Sequence, residues 1–320
     1  MKSAISILML LGLMVGSGIA SAADYPTRHI TIYVGYPAGG ATDTAARIVT
    51  NQVSKYLEQP MIVSNKPGAG SAIAAEFVAR AKPDGYTLFS ATATTVIQTV
   101  AIRDNPYKIS DFTPIVGLYS MPLVIVVKGD SKLNTIEDLV DFSKKNPNKL
   151  NMGTPGVNSV HHFALELFKQ EAGIEVHHIP FQGDAPAATG LIGGHVDAAF
   201  LGLVAVAEAI KAGTMKALVM TTSKRVSQFP NLPTMAEKGF GKTGNIISWG
   251  GVAAPAGLPA AILEKLSASY QKAATSPEVI KQLEKVGFAT TYMNAKEFNE
   301  FVKDEHKRLT DIAQRAKMVK

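Results

Sequence analysis

Cysteine is absent from the 320 residues. That excludes disulfides, iron–sulfur clusters, thiolate zinc sites, cysteine catalysis and a lipid-modified cysteine anchor. Beyond the N-terminal stretch no segment is apolar enough to span a bilayer. No His-Glu-x-x-His and no Gly-x-Ser-x-Gly occurs, so two common hydrolase signatures are missing. Charge of one sign is scarce too. Lys and Arg number 32 against 26 Asp and Glu, a formal balance of +6. That is mild for this length. It leans towards an acidic small molecule and does not by itself indicate nucleic acid. No repeat of fixed period and no low-complexity tract is present, and the length suits two domains.

What is there begins with an address. Met1-Lys2-Ser3 is a short positive start, Ala4 to Ala20 is apolar, and Ala20-Ser21-Ala22-Ala23 is small. This is the pattern of a secretory signal, expected to span residues 1–22 and to be cleaved. A membrane anchor is the competing reading, but the apolar core is short for one. The mature protein is then exported, to the periplasm in a bacterium.

The rest alternates short apolar runs with helix-period segments, which predicts an α/β fold with largely parallel sheets. Strands are expected at 29–34, 61–63, 86–90, 123–127, 176–179, 196–200 and 217–220. Thr135-Ile136-Glu137-Asp138 resembles a capping box opening a helix over 136–145. Asn294 with Glu297 marks the start of a C-terminal helix. The strand–loop–helix pattern restarts near residue 150, which suggests a second α/β lobe with a cleft between the two.

Two Gly-rich loops each join a strand to a helix: Tyr36-Pro37-Ala38-Gly39-Gly40-Ala41-Thr42-Asp43 and Gly153-Thr154-Pro155-Gly156-Val157-Asn158-Ser159. Glycine lets backbone approach a ligand, and a helix's first turn has unpaired N–H donors and a partial positive charge. Such a turn holds a carboxylate, phosphate or sulfate without Arg or Lys. The plainer reading is turn chemistry, with Thr42 or Asp43 and Asn158 or Ser159 as helix caps. The first loop is neither a dinucleotide fingerprint nor a P-loop.

Five of the seven histidines fall between 161 and 195: His161, His162, His177, His178 and His195. A metal site with Glu166 as an extra ligand competes with solvated or capping histidines. His177 and His178, adjacent in a strand, point to opposite faces and do not easily share one metal. Asp197 stands in an apolar run, where a buried carboxylate needs partners. Trp249, the only tryptophan, is either packed at a core or hinge or lines the cleft.

The chain resembles the Bug family, the solute-binding proteins of tripartite tricarboxylate transporters. The likeness is carried by Tyr25-Pro26-Thr27-Arg28, Pro37-Ala38-Gly39-Gly40-Ala41-Thr42-Asp43-Thr44-Ala45-Ala46-Arg47, Asn65-Lys66-Pro67-Gly68-Ala69-Gly70 and Pro83-Asp84-Gly85-Tyr86-Thr87-Leu88. It continues through Asp111-Phe112-Thr113-Pro114, Gly153-Thr154-Pro155-Gly156, His162-Phe163-Ala164-Leu165-Glu166-Leu167-Phe168, Ile179-Pro180-Phe181-Gln182-Gly183, Gly193-Gly194-His195-Val196-Asp197 and Ala254-Pro255-Ala256-Gly257-Leu258-Pro259. Each piece is weak; their order and spacing are specific.

The resemblance implies a two-lobed periplasmic-binding-protein fold of the Venus-flytrap kind. Lobe 1 is expected over 23–121 plus 250–320, and lobe 2 over 122–249. It implies a small carboxylate ligand: a di- or tricarboxylate, an acidic amino acid or an aromatic acid. It also implies membrane transporter subunits as partners and a monomer, with no cofactor, no metal, no nucleic acid and no catalysis. Carried over by position, the ligand-binding residues are Tyr36, Pro37, Ala38, Gly39, Thr42 and Asp43 in the first lobe, joined by Ser90, Ala91 and Thr92. In the second they are Thr154, Gly156, Asn158, Ser159, His161, Phe181 and Asp197. Three places depart from the family pattern. Ser71-Ala72-Ile73-Ala74 replaces the usual Gly-Asn-Ile-Gly, His161 stands where a small residue is usual, and Phe181 stands where Tyr is commoner. The rival readings are a secreted metal-dependent hydrolase using 161–195 and a ligand-gated co-receptor for a sensor.

Overall fold

The strongest β-branched run, Leu123–Lys128 (β5), lies inside a sheet and is buried along nearly its whole length. In a computed structural model the chain is described over residues 25–101, 104–222, 224–226 and 228–315. The expected signal segment lies outside the described residues. Among these residues no helix is long and apolar enough to cross a membrane.

Two mixed sheets carry the fold. The first uses β1 (Ile30–Val34), β2 (Met61–Asn65), β3 (Thr87–Thr92), β4 (Phe112–Met121), β10 (Ser248–Pro255) and β11 (Ala289–Met293), in the order β11-β4-β10-β3-β1-β2. The second uses β5, β6 (Asn151–Thr154), β7 (His177–Pro180), β8 (Ala198–Gly202) and β9 (Met215–Met220), in the order β7-β6-β8-β5-β9. Beside the first lie α1 (Ala41–Leu57), α2 (Ala72–Ala79), α3 (Ala93–Ala101), α9 (Ala260–Ala274), α10 (Pro277–Lys285) and α11 (Ala295–Arg315). The second carries α4 (Ile136–Lys145), α5 (Val160–Ala172), α6 (Asp184–Ile192), α7 (Leu203–Lys211) and α8 (Gly241–Gly244).

The sheets are less parallel than the alternation predicts. β1 runs parallel to β2 and β3, and β6 parallel to β7 and β8. The pairings of β10 with β3 and β4, of β11 with β4, and of β5 with β8 and β9 are antiparallel. The cause is the crossing between lobes. Met121 ends β4 in the first sheet, and after Pro122 the chain starts β5 in the second. The return strand β10 runs back along β4, pairing Ser248 with Met121.

Local chemistry sets the helix starts. The Thr135 side chain accepts from Asp138 N–H, and the Asp138 carboxylate accepts from Thr135 N–H, a closed capping box at the start of α4. Asn294 and Glu297 do the same ahead of α11. Trp249 belongs to the core: it is 4% exposed and meets Phe298 and Phe301 edge-on. The apolar face of α11 thus closes over β4 and α3.

Candidate functional site

In the parallel part of each sheet the strands deliver their C-terminal ends to one region. β1 leads through Tyr36 and Pro37 into α1, and β7 leads through Phe181 and Gly183 into α6. The starts of these two helices face each other across a narrow crevice. Its walls are Tyr36, Pro37, Gly40, Ala41 and Thr42 on one side, and Gly183, Asp184, Ala185 and Pro186 on the other. Free volume is about 10 Å³, roughly enough for one water. A Cβ on Gly183 would stand 3.2 Å from Pro37 Cδ, so the lobes touch here. They touch again where Val160 N–H donates to Thr94 Oγ1 at 3.1 Å. A third contact puts a Cβ on Gly70 only 3.0 Å from the Val157 carbonyl.

The first wall is tied from within. Asp43 is buried, and its Oδ2 accepts from Gly39 N–H and from Arg47 Nε, each at 2.9 Å. Its Oδ1 accepts from Asn65 Nδ2 at 2.9 Å, and the same Nδ2 also donates to the Tyr36 carbonyl. Burial pushes the Asp43 carboxyl up, but these bonds from Arg47, Gly39 and Asn65 outweigh it and hold it below its ordinary range. Asp43 and Thr42 are therefore not the cap expected for α1. The N-cap is Gly40, with no side-chain hydrogen bond, and the first-turn amides of α1 lack intrahelical partners. Burial pushes the Tyr36 hydroxyl up to about 12, against hydrogen bonds with Thr94 and Thr92; Asp184 adds to the rise. The Tyr119 hydroxyl, raised by burial, interacts with Thr42. Ala38 and Gly39 are exposed at the rim.

The second wall is joined, through Phe181 N–H donating to the Thr154 carbonyl, to the Gly-rich loop 153–159, which is tied by histidines. Thr154 Oγ1 lies 2.7 Å from His178 Nε2, and Asn158 N–H donates to His162 Nδ1 at 3.1 Å. His162 and His178 stack with centroids 4.2 Å apart. Ser159 is the N-cap of α5, its hydroxyl accepting from His162 N–H. Gly156 lies beside Gly70 of the first lobe. His161 is 5% exposed, and its Nε2 is 3.5 Å from Asp184 Oδ1.

Three expected site residues are placed elsewhere. Asp197 is exposed just before β8, at the end of the strand away from the crevice, where its carboxylate accepts from Asn151 N–H. The apolar run misled, because Asp197 precedes the buried strand and lies outside it. Ala91 alternates to the opposite face of β3 from Thr92 and packs with Phe89, Tyr107 and Ala253. Phe181 turns its ring onto Gly153 and Gly190 inside the second lobe. Ser90 is buried on the Thr92 face, one pleat deeper. Asp184, Thr94, Gly70 and Tyr119 escaped sequence reasoning. Gly183-Asp184 at a strand-to-helix turn is the signal that could have found α6, a third turn of the same kind as the two Gly-rich loops.

Among the described residues no three His, Cys, Asp or Glu side chains are grouped to hold a metal ion. His162, His178 and Glu166 form a stack and an i,i+4 pair.

Two α/β lobes meeting at a crevice edged by helix starts define a periplasmic binding protein of the two-lobed class. Residues 45–318 match the family described as the tripartite tricarboxylate transporter family receptor, TctC. The chain belongs to that family, the Bug-type solute-binding proteins. Protein BugT of Bordetella pertussis is 32% identical over 96% of this chain and 96% of its own. The structure of the periplasmic binding protein BugD superposes with a TM-score of 0.88 at 30% identity, over 92% of this chain and 99% of its own. MatC from Rhodopseudomonas palustris, solved with bound malate, gives 0.85 at 29% identity, over 90% of this chain and 99% of that one. These are binding proteins, not enzymes, which sets aside the hydrolase reading of residues 161–195.

Proposed function

We propose that this chain is a periplasmic receptor that captures a small carboxylate between its lobes and hands it to the membrane subunits of a tripartite tricarboxylate transporter. It acts as a monomer after removal of residues 1–22. The observation that carries this is the pair of opposed helix starts, α1 and α6, at a crevice whose lining has no Lys or Arg. Amide donors and helix dipoles hold an anion there without a permanent cation. MatC binds malate on the same fold, which supports the ligand class.

The crevice is too small in this closed arrangement for any such acid, so capture requires opening and reclosing. The ligand favours the closed state by binding it better than the open one. Closure excludes water, which strengthens each amide–anion contact.

The test is thermal unfolding of the mature protein against a series of carboxylates, with EDTA and zinc as controls. A ligand of the native state adds RT ln(1 + [L]/Kd), about 2.7 kcal/mol at 100 Kd. A selective rise in Tm with one acid or a small group of acids is expected. Loss of stability in EDTA, with no response to any acid, would overturn the proposal.

A further inference from the structure

Among the described residues the only formal charge lining the crevice is negative. Asp184 opens α6, has a side chain 11% exposed, and its Oδ1 accepts from Gly202 N–H at 2.8 Å. No Lys or Arg lines the crevice with it. The nearest ionisable partner is His161, from the first turn of α5, 3.5 Å away. Both ring nitrogens of His161 are buried without a hydrogen bond. Burial also pushes this imidazole below its ordinary range, against the pull of Asp184.

A dianion would meet a carboxylate here with no cation to offset it. Like charges brought together in a dry site are strongly unfavourable. A neutral imidazole offers one lone pair and a carboxylate several, whereas an ammonium offers three donors and no acceptor. The two side chains therefore form a receptor for a donor.

We infer that His161 and Asp184 form a subsite for a hydrogen-bond-donating cation, and that the ligand of this protein is an amino acid-like zwitterion rather than a plain di- or tricarboxylate. This rests on the carboxylate reading above: the ligand's carboxylate meets the amide donors at the start of α1, across the crevice from Asp184, and its ammonium meets Asp184 and His161. Tyr36, which lines the crevice with Asp184, completes the polar rim.

The experiment uses acids in pairs that differ by an ammonium in place of one carboxylate. Suitable pairs are β-alanine with succinate, 4-aminobutyrate with glutarate, and 4-(aminomethyl)benzoate with 4-(carboxymethyl)benzoate. Binding is read by calorimetry on the mature wild-type protein, which needs no variant. The amino member of at least one pair should bind tighter by roughly tenfold or more. In Asp184→Asn, which keeps an oxygen for Gly202 N–H, that preference should fall to within about twofold. His161→Ser should weaken the amino member more than the diacid. Diacids that bind as well as their amino partners, with Asp184→Asn unchanged, would overturn the subsite and leave the carboxylate reading standing. Failure of both members of every pair, and of a wider carboxylate series, would overturn the carboxylate reading and the subsite together.

Discussion

In the first lobe the crevice loop is fastened by an ionised carboxylate; in the second it is fastened by neutral imidazoles. Asp43 gathers Gly39 N–H, Arg47 and Asn65 on its two oxygens. Across the crevice Thr154 leans on His178 and Asn158 on His162. Both arrangements fix a Gly-containing loop between a strand and a helix. They differ in strength and in the pH at which they come undone. Hydrogen bonds to a charged group are worth about 1.5–3 kcal/mol, neutral ones about 1. The first wall is therefore the stiffer one, and the second is the one that can be loosened.

The largest effect should come from the carboxylate. Asp43→Ala removes the acceptor shared by Gly39 N–H, Asn65 Nδ2 and Arg47 and leaves a buried gap. We expect a loss of about 2 kcal/mol in urea unfolding, with weaker ligand binding because residues 37–40 are no longer held. Arg47 is half exposed, so its share of that loss is small. Asp43→Asn should fall between the variant and the wild type. An Asp43→Ala protein as stable as the wild type would remove the asymmetry between the walls.

A smaller effect should follow at the seam. Gly70 has φ +63°, and a Cβ there would sit 2.7 Å from Gln98 Nε2 and 3.0 Å from the Val157 carbonyl. The first contact is within the lobe; the second crosses the crevice. Gly70→Ala should cost about 1 kcal/mol from the left-handed backbone and should also raise the Kd, because Val157 approaches only on closure. Stopped-flow binding separates the two: a slower or incomplete closing phase marks the seam, and an unchanged one would show that Gly70 matters to the first lobe alone.

Much of this architecture could be read from the residues, and the exceptions have physical causes. α4 begins where its capping box says it should, because local hydrogen bonds decide a helix start. The two strand-to-helix loops were visible because glycine and small polar residues between two periodic runs have few other uses. Strand direction was not visible. A buried strand looks the same whichever way its neighbour runs, so the antiparallel pairing of β5 and β10 depended on where the chain crosses between lobes. Asp184 was not visible as a partner of His161. Their meeting depends on β7 lying beside β6, a tertiary fact. Asp197 misled for the opposite reason: it adjoins an apolar run, and nothing local says that the strand begins one residue later.

The effect that tests the comparison most directly is its pH dependence. Burial holds the His178 imidazole down to about 4 from 6.5, with His162 adding to the fall and Glu166 opposing it. Between those values the unfolded chain binds the proton and the folded chain does not. The stability this imidazole contributes is therefore complete above pH 6.5 and is lost as pH falls towards 4. Asp43, held below its ordinary 3.8, keeps its contribution throughout that window and loses it only in stronger acid. Between pH 6.5 and 4 the second wall should loosen while the first stays tied. Replacing His178 by Gln removes the titrating ring and should flatten the fall in Tm over that range. Thr154→Val should lower stability by about 1 kcal/mol at pH 7 while leaving the fall in place, since His178 stays buried against His162. Equal slopes in the wild type and in His178→Gln would mean that the second wall is not held by its imidazoles, and the two walls would then differ in strength alone.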